Sequence, residues 1–229
     1  MPVFRLTRKL LFPPTHLAED NGLLAVGGDL SPQRLLLAYR QGIFPWFAEG
    51  DPLLWWSPDP RLVLFPVEFT IPRRLERYRR NTDIRTSRDC AFTEVIASCA
   101  EVRAATEAGT WITAAMQQAY IEMHRLGYAH SVECWLAGEL VGGLYGIALD
   151  RVFFGESMFS KSRSASQFAL IELISFLHKK NFQMVDCQMT TNHLLRFGAR
   201  EISGRQFQAR LKEYIKDIER HEDWKTDCP

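Results

Sequence analysis

The sequence lacks an unbroken apolar run of membrane length. Its first residues also lack the charged segment followed by an apolar segment that is typical of a secretory signal peptide. Internal repeats and low-complexity tracts are also missing. These absences argue against a membrane span, a secretory signal and a repeat architecture. We therefore expect a globular protein of the cytoplasm with no membrane partner, and we expect it to be a monomer.

A strong charge of one sign and paired cysteines are missing as well. The formal net charge is +1, so no global field indicates a polyanionic partner, although a neutral total can hide a local patch. The five cysteines form no C-x-x-C pair, and their odd number argues against a disulfide framework, so we expect reduced thiols. The six histidines have no ligand-like spacing, and we expect neither a metal nor another cofactor.

The first part of the chain, to about residue 65, is rich in loops and holds one clear helix. Pro32 fits the first helical position and Gly42 fits the end, while leucines and Tyr39 supply an apolar stripe. An aromatic loop follows over residues 43–61, where proline and glycine argue against a regular helix or a central strand. We predict that this part is a small separate domain.

From residue 66 the pattern changes to regular helices and strands. In chain order we predict a basic helix, a strand, two helices, three strands, a helix, a strand and two helices, near residues 72–80, 84, 90–102, 112–126, 129–137, 139–149, 151–159, 164–180, 183–189, 191–197 and 203–220. Very short turns join the three consecutive strands, which favours antiparallel hairpins.

The predicted fold class is α+β. The last of the three strands, the long helix and the next strand form a parallel βαβ unit. An antiparallel meander joined to such a unit is the outline of the GNAT acyltransferase fold. We therefore predict a small N-terminal domain over residues 1–65 and a GNAT-like catalytic domain over residues 66–229.

The predicted strand 183–189 carries two polar residues, Asp186 and Gln188, among apolar neighbours. Residues i and i+2 of a strand point to one face, so Asp186 can accept an N–H of the Gln188 side-chain amide. A buried carboxylate without partners is costly or shifts its pKa, so the surroundings must compensate Asp186 or use it. The alternative is that Asp186 caps a helix that begins near Thr190 or Thr191.

Several long motifs occur together in this chain. They are GLLAVGGDLSPQRLLLAYRQGIFPWF over residues 22–47, LLWWSPDPR over 53–61, GTWIT over 109–113, GESMFS over 155–160, DCQ over 186–188 and HLLRFGA over 193–199. Together they closely resemble the bacterial leucyl/phenylalanyl-tRNA–protein transferases, over about residues 3–205. The resemblance implies a small N-terminal domain joined to a GNAT-like domain.

The resemblance also implies a reaction. Leu, Phe or, less often, Met passes from aminoacyl-tRNA (Leu-tRNA or Phe-tRNA) to the N-terminal amine of a protein that begins with Arg or Lys, and the product is degraded. It implies that Asp186 and Gln188 form the catalytic relay and that Trp46 and Trp111 stack on the terminal adenosine of the tRNA. An aminoacyl ester is already activated, so this chemistry needs positioning, a proton acceptor and oxyanion donors rather than a metal.

Further candidate residues surround these motifs. Glu156 lies among aromatic residues, and its carboxylate suits a cationic acceptor, either the N-terminal ammonium or the Arg or Lys side chain; the alternative is an exposed strand glutamate. We expect an apolar pocket for the Leu or Phe side chain, although each of its residues taken alone could be plain core. The pocket residues are Leu144, Phe153, Leu170 and Val185.

Five arginines fall within eight residues of the predicted helix 72–80, opposed only by Glu76. Positions 73, 77 and 80 share one helix face, so the run repels itself unless a polyanion is near. We predict contacts to tRNA phosphates, without reading of bases, by Arg73, Arg74, Arg77 and Arg80. The alternative is a solvated charged face.

Two other functions stay open at this point. One is an acyl-CoA-dependent GNAT N-acyltransferase, but GNAT enzymes usually bind CoA through a glycine-rich turn before the long helix, and residues 161–166 contain no glycine. The other is a non-catalytic tRNA-binding module built on the basic helix and the tryptophans. That module would leave Asp186, Gln188 and Glu156 without a role.

Overall fold

The computed structural model describes residues 3–105, 110–218, 220–221 and 223–228. The glycine that opens the GTWIT motif and residue 219 of the predicted helix 203–220 lie outside these ranges. Among the described residues, no helix is both long enough and apolar enough to cross a membrane.

The N-terminal part folds into a four-stranded sheet. Its strands are β1 (Phe4–Leu6), β2 (Leu23–Gly27), β3 (Phe44–Pro45) and β4 (Leu54–Trp56), in the order β1-β2-β4-β3. The expectation that residues 43–61 hold no central strand was wrong, since β4 pairs with both β2 and β3. β4 falls on a stretch without proline or glycine, while the proline of β3 lies in an edge strand, where prolines are tolerated.

The predicted first helix is confirmed as α1 (Pro32–Arg40). Gly42 follows it at φ +71°. The amide of Gly42 donates to the Tyr39 carbonyl and the amide of Ile43 donates to the Ala38 carbonyl, both at 2.9 Å, which satisfies the last carbonyls of the helix. A Cβ at position 42 would lie 2.5 Å from the Phe207 ring, so glycine is required there for space as well.

The larger sheet has seven strands in the order β11-β5-β10-β9-β8-β7-β6. They are β5 (Arg61–Leu64), β6 (Arg85–Arg88), β7 (Ala129–Leu136), β8 (Glu139–Leu149), β9 (Val152–Ser160), β10 (Met184–Gln188) and β11 (Arg200–Ile202). The predicted meander is confirmed, because β6 to β9 pair antiparallel in sequence order. Ala137 and Gly138 both have positive φ in the tight turn between β7 and β8, as two-residue hairpin turns require.

The parallel βαβ unit is also confirmed. β9 and β10 pair in parallel, and α5 (Ala165–Lys179) connects them. The larger part is therefore the predicted α+β, GNAT-like arrangement. Its other helices are α2 (Arg73–Arg80), α3 (Phe92–Ala104), α4 (Ala114–Arg125), α6 (Asn192–Leu195) and α7 (Gly204–Tyr214). A capping box of Ser203 and Gln206 opens α7, which ends at Tyr214, earlier than predicted, because Ile215 is extended and buried.

The described residues form two hydrophobic cores. The first contains residues of the N-terminal sheet, α1, α3, α4 and the large sheet. The second contains residues of α2, α5 and the large sheet, together with Trp224. The small part thus shares a continuous core with the larger one. The domain boundary at residue 65 stays a prediction. The chain enters the seven-stranded sheet before that residue, since β5 at residues 61–64 pairs with β10 and β11.

The expectation of only reduced cysteines was wrong. Cys90 and Cys228 form a disulfide with a Cα–Cα distance of 5.5 Å, while Cys99, Cys134 and Cys187 are free. An odd count excludes only the pairing of all five cysteines. The two partners are 138 residues apart, so no local spacing could indicate that the C-terminal segment returns to β6.

Candidate functional site

A cavity of about 740 Å³ opens where two parallel strands separate. The pairing of β9 with β10 ends at Phe154 and Asp186, although β9 continues to Ser160. Beyond that point the two strands and the segment after β10 line the cavity, together with α5 and residues of the N-terminal sheet. Eight residues predicted from the sequence meet here: Trp46, Trp111, Leu144, Phe153, Glu156, Leu170, Val185 and Gln188.

The four predicted pocket residues form an apolar wall. Leu144, Phe153, Leu170 and Val185 all line the cavity, and each belongs at the same time to a buried core. Their two readings from the sequence, pocket and core, are therefore compatible. The wall is rigid because each side chain is supported from behind by close-packed neighbours.

Glu156 is buried at the cavity, not an exposed strand residue, and neutral donors surround its carboxylate. The Tyr39 hydroxyl donates to Oε1 at 2.7 Å, and the Tyr120 hydroxyl donates to Oε2 at 3.0 Å. The Gln188 amide Nε2 also donates to Oε1, at 2.9 Å. Tyr39 comes from α1 and Tyr120 from α4, so the N-terminal part supplies one of the groups that hold Glu156.

Burial raises the pKa of Glu156 to about 7, and the nearby charge of Asp186 acts in the same direction. The hydrogen bonds from Tyr39, Tyr120 and Gln188 limit that rise, because they favour the charged carboxylate. Burial also raises the pKa of Tyr39 and Tyr120 well above the usual range, so both hydroxyls remain protonated donors. The site therefore holds a carboxyl group that can gain or lose a proton near neutral pH.

Gln188 reaches Glu156 because its backbone leaves the regular strand. Its φ is +61°, and the pairing of β10 with β5 shifts register between Asp186 and Gln188. A non-glycine residue with positive φ is uncommon and needs support from its surroundings. This bulge breaks the i, i+2 alternation on which the sequence prediction rested.

Asp186 does not line the cavity, and it does not hold the Gln188 side chain. It is fully buried and forms a bidentate ion pair with Arg61, at 2.8 Å from Nε to Oδ1 and 2.6 Å from Nη2 to Oδ2. Its Oδ1 accepts the backbone N–H of Gln188 at 2.9 Å. The predicted side-chain contact was therefore wrong, and so was the capping alternative, since Thr191 caps α6 with its own hydroxyl.

The two predicted stacking tryptophans lie at the cavity with part of each ring exposed. Trp46 packs edge-on against Trp56, whose Nε1 donates to the Trp46 carbonyl at 2.6 Å. Trp111 lies 5.9 Å from the guanidinium of Arg103, which also lines the cavity. The cavity is thus lined by three tryptophans, Trp46, Trp56 and Trp111, and by the cation of Arg103.

The basic helix α2 lies away from the cavity. Arg73, Arg74 and Arg77 are exposed, and no ion pair among the described residues involves them. Arg80 and Arg79 both pair with Glu76, so Glu76 balances the last turn of the helix. Tyr78 of α2 lies under Arg163, which places α2 beside the start of α5.

Three possible metal ligands converge elsewhere, although their spacing in the sequence gave no sign of it. Asp89, His124 and His130 place one potential ligand atom each within 4.8 Å of the others. Hydrogen bonds already join His130 Nδ1 to Asp89 at 2.7 Å and His124 Nδ1 to the Ala129 carbonyl at 2.8 Å. Burial lowers the pKa of His130, which favours the neutral ring. The group lies outside the cavity, and the absence of a metal stays a prediction.

Sequence reasoning missed three residues of the site: Arg61, Tyr39 and Tyr120. Arg61 ends the LLWWSPDPR motif and Tyr39 lies in the long N-terminal motif, so both belong to family motifs. Arg61 was given no role, and Tyr39 was assigned only to an apolar stripe. Their partners lie 125 and 117 residues away, and no local pattern reports such pairs.

Comparison with known proteins places this arrangement in a family. Sequence models described as leucyl/phenylalanyl-tRNA protein transferase and its N-terminal domain match residues 63–212 and 28–59. The chain is 59% identical to a leucyl/phenylalanyl-tRNA–protein transferase of Syntrophobacter fumaroxidans, over 98% of this chain and 96% of that protein. It is 56% identical to that of Nitrosospira multiformis, over 96% and 95%.

Among solved structures, an aminoglycoside acetyltransferase from an uncultured soil metagenomic sample aligns with a TM-score of 0.39 at 13% identity, over 63% of this chain and 97% of that one. The family rests on the sequence matches, which cover nearly the whole chain at more than half identity. The chain therefore belongs to the leucyl/phenylalanyl-tRNA–protein transferase family of enzymes.

Proposed function

We propose that this enzyme transfers Leu, Phe and, less often, Met from aminoacyl-tRNA to the N-terminal amine of proteins that begin with Arg or Lys, and that the products are degraded. One observation carries the proposal: a single cavity combines an apolar wall with the buried carboxylate of Glu156. The wall suits an unbranched-at-Cβ side chain of the donor, and the carboxylate suits a cationic acceptor.

In this proposal Glu156 binds the acceptor ammonium and takes its proton. A free α-ammonium has a pKa of about 7.7–8, and the Glu156 pKa of about 7 lies close enough for transfer near neutral pH. The amine then attacks the ester carbonyl: a C–N bond forms, the bond to the ribose oxygen breaks, and the leaving ribose oxygen takes up the second proton that the nitrogen loses, which makes it a hydroxyl. Overall, one proton leaves to solvent.

Gln188 orients the amine beside Glu156. Its Nε2 is used by Glu156, and no hydrogen bond among the described residues uses its Oε1, so that oxygen can accept an N–H of the acceptor. The relay predicted for Asp186 and Gln188 is thus proposed in a changed form. Gln188 and Glu156 touch the amine, and Asp186 acts from behind through the backbone of Gln188.

The donor occupies the remaining surfaces. Its Leu or Phe side chain lies against Leu144, Phe153, Leu170 and Val185, and its terminal adenosine lies between Trp46 and Trp111, at roughly 1–3 kcal/mol per stacked base. The acceptor stem extends to α2, where tRNA phosphates contact four exposed arginines. They are Arg73, Arg74, Arg77 and Arg80. We place the enzyme in the cytoplasm, as a monomer with residues 1–65 and 66–229 as its two domains.

The test is transfer of labelled Phe from Phe-tRNA to a peptide that starts with Arg. Matched controls are the same peptide starting with Ala and the Arg peptide with an acetylated N-terminus. We expect product only with the free Arg or Lys terminus. Equal transfer to the Ala peptide would contradict the acceptor specificity, and absence of any transfer would contradict the reaction.

The Glu156→Gln variant tests the assignment of that residue. Removing one charge from a desolvated pair costs about 2–5 kcal/mol, so we expect the KM for the Arg peptide to rise roughly 30-fold or more. The KM for Phe-tRNA should stay the same. If the KM for Phe-tRNA rises instead, Glu156 contacts the donor and the assignment fails.

A further inference from the structure

Arg61 is a buried cation that does not line the cavity. Its side chain is about 1% exposed, and its guanidinium lies between the rings of Phe44 and Phe207, at 4.8 and 4.7 Å from their centroids. One ring comes from the N-terminal sheet and the other from α7. The two rings sandwich the guanidinium, and its Nε and Nη2 hold the Asp186 carboxylate.

Asp186 connects Arg61 to the reacting region through one atom. Its Oδ1 accepts both the Nε–H of Arg61 and the backbone N–H of Gln188. The second of these bonds closes a turn over residues 186–188 at the point where β10 changes register. Because positive φ is unfavourable for glutamine, this turn supports a backbone conformation that needs help from its surroundings.

We propose that Arg61 is a positioning residue for the transfer reaction: through Asp186 it fixes the backbone of Gln188 so that the Gln188 amide meets Glu156. The inference rests on the proposed function of that cavity. In this arrangement the Asp186 carboxylate is an anchor and not a proton acceptor, because Arg61 and the Gln188 N–H occupy it and it has no access to the cavity.

Substitutions can distinguish the two possible roles of Asp186, which are anchor and proton acceptor. An anchor needs an oxygen at the Oδ1 position, whereas a proton acceptor needs the negative charge. Asp186→Asn keeps the oxygen and removes the charge. Arg61→Gln leaves the Asp186 charge buried without its partner, which is the least favourable combination.

The first experiment measures kcat for transfer of Phe to an Arg peptide, together with thermal unfolding, in Arg61→Gln, Asp186→Asn and the double variant. We expect Arg61→Gln to lower kcat by about 100-fold, and the double variant to recover at least about tenfold of that loss. The reason is that substitutions at residues that act as one unit do not have additive effects on kcat. Recovery means that the Asp186 charge is dispensable once Arg61 is gone. A double variant no more active than Arg61→Gln, with its unfolding temperature restored, overturns the proposal.

The second experiment asks whether Arg61 acts through Gln188. In a Gln188→Ala background the Gln188 amide is already lost, so Arg61→Lys should lower kcat no more than about twofold further, while in the wild-type background it should lower kcat roughly tenfold. The KM for Phe-tRNA should be unchanged in both. A purely structural role predicts equal losses on the two backgrounds, and that result would also overturn the proposal.

The wild-type protein separates this inference from the function on which it rests. If the wild type transfers Phe and Arg61→Gln has the same kcat, only the role of Arg61 is refuted. Absence of transfer by the wild type refutes the proposed function itself. Should Arg61→Gln fail to fold, the comparison of Arg61→Lys on the two backgrounds gives the decision, since lysine keeps a cation to pair with Asp186.

Discussion

Two buried carboxylates lie on neighbouring strands of the large sheet, and their surroundings differ. Glu156 on β9 accepts hydrogen bonds from three neutral groups, while Asp186 on β10 is paired with a guanidinium. Glu156 faces the cavity and Asp186 does not. Two acidic residues of similar burial can thus differ in charge and accessibility because their hydrogen-bond partners differ.

Neutral donors orient a carboxylate without cancelling its charge. Burial can then move the pKa of Glu156 to about 7, where the group exchanges protons readily. A guanidinium cancels the charge of Asp186 and makes the pair a fixed connection between β5 and β10. The surroundings therefore suit Glu156 to proton exchange and Asp186 to holding the local geometry.

The largest expected difference concerns folding stability. Asp186→Ala leaves the Arg61 guanidinium buried and unpaired, so we expect a loss of about 3–5 kcal/mol in the free energy of unfolding. Glu156→Gln removes a carboxylate held only by neutral groups, and we expect a loss of no more than about 1.5 kcal/mol. Urea unfolding at pH 7 measures both. Equal losses would mean that the two environments do not differ as described.

The second prediction concerns pH. The pKa of Glu156 is raised from 4.5 to about 7, so between these values the folded state binds more protons than the unfolded state. The stability that this group contributes is complete below pH 4.5 and is lost as pH rises through 7, by up to about 3 kcal/mol. Urea unfolding from pH 4.5 to 8 should show this slope in the wild type and lose it in Glu156→Gln. An identical slope in the variant would assign it to other groups.

The third prediction removes one neutral donor. Tyr39→Phe deletes a hydrogen bond to the charged carboxylate, worth about 1.5–3 kcal/mol, so the pKa of Glu156 should rise further. The acid limb of the kcat/KM profile for the Arg peptide should move to higher pH. Tyr145→Phe is the matched control, because Tyr145 also lines the cavity and its buried hydroxyl has no hydrogen-bond partner among the described residues. A shift of equal size in the control would contradict the role of the donor.

The smallest effect is expected at α2, far from both carboxylates. Arg77→Gln should reduce the slope of log K against log salt for tRNA binding by about 0.9, the loss of one phosphate contact, and leave kcat unchanged. Arg79→Gln is the control, since Glu76 already engages that side chain. A fall in kcat for Arg77→Gln would mean that the basic helix influences the carboxylate site.

Much of the fold was predictable because its signals are local. The meander from Ala129 to Ser160 has long apolar runs and tight turns, and the βαβ unit has a long apolar helix between two strands. The N-terminal sheet was not predicted, since strands of two to five residues are too short to show a period of two. The bulge at Gln188 was also hidden, because positive φ at glutamine has no sequence signal.

The cavity residues were found largely through family motifs, while their supports were not. Glu156, Gln188 and Arg61 all occur in motifs, but no motif shows that Tyr120 bonds to Glu156 or that Arg61 bonds to Asp186 across the fold. Residue type indicates which groups can do chemistry. Only the three-dimensional arrangement shows which of them a cation has already neutralised.

The disulfide from Cys90 to Cys228 has a consequence for proteolysis. It closes residues 90–228 into a covalent ring that contains both carboxylates and Gln188, whereas Tyr39 and Arg61 lie outside it. Without reductant, a single cut inside the ring leaves its pieces joined in one molecule. A cut in the exposed stretch 48–52 instead leaves the fragment that carries Tyr39 with no covalent link to the ring, so after mild digestion only packing should hold this support of Glu156, while the ring keeps both carboxylates together.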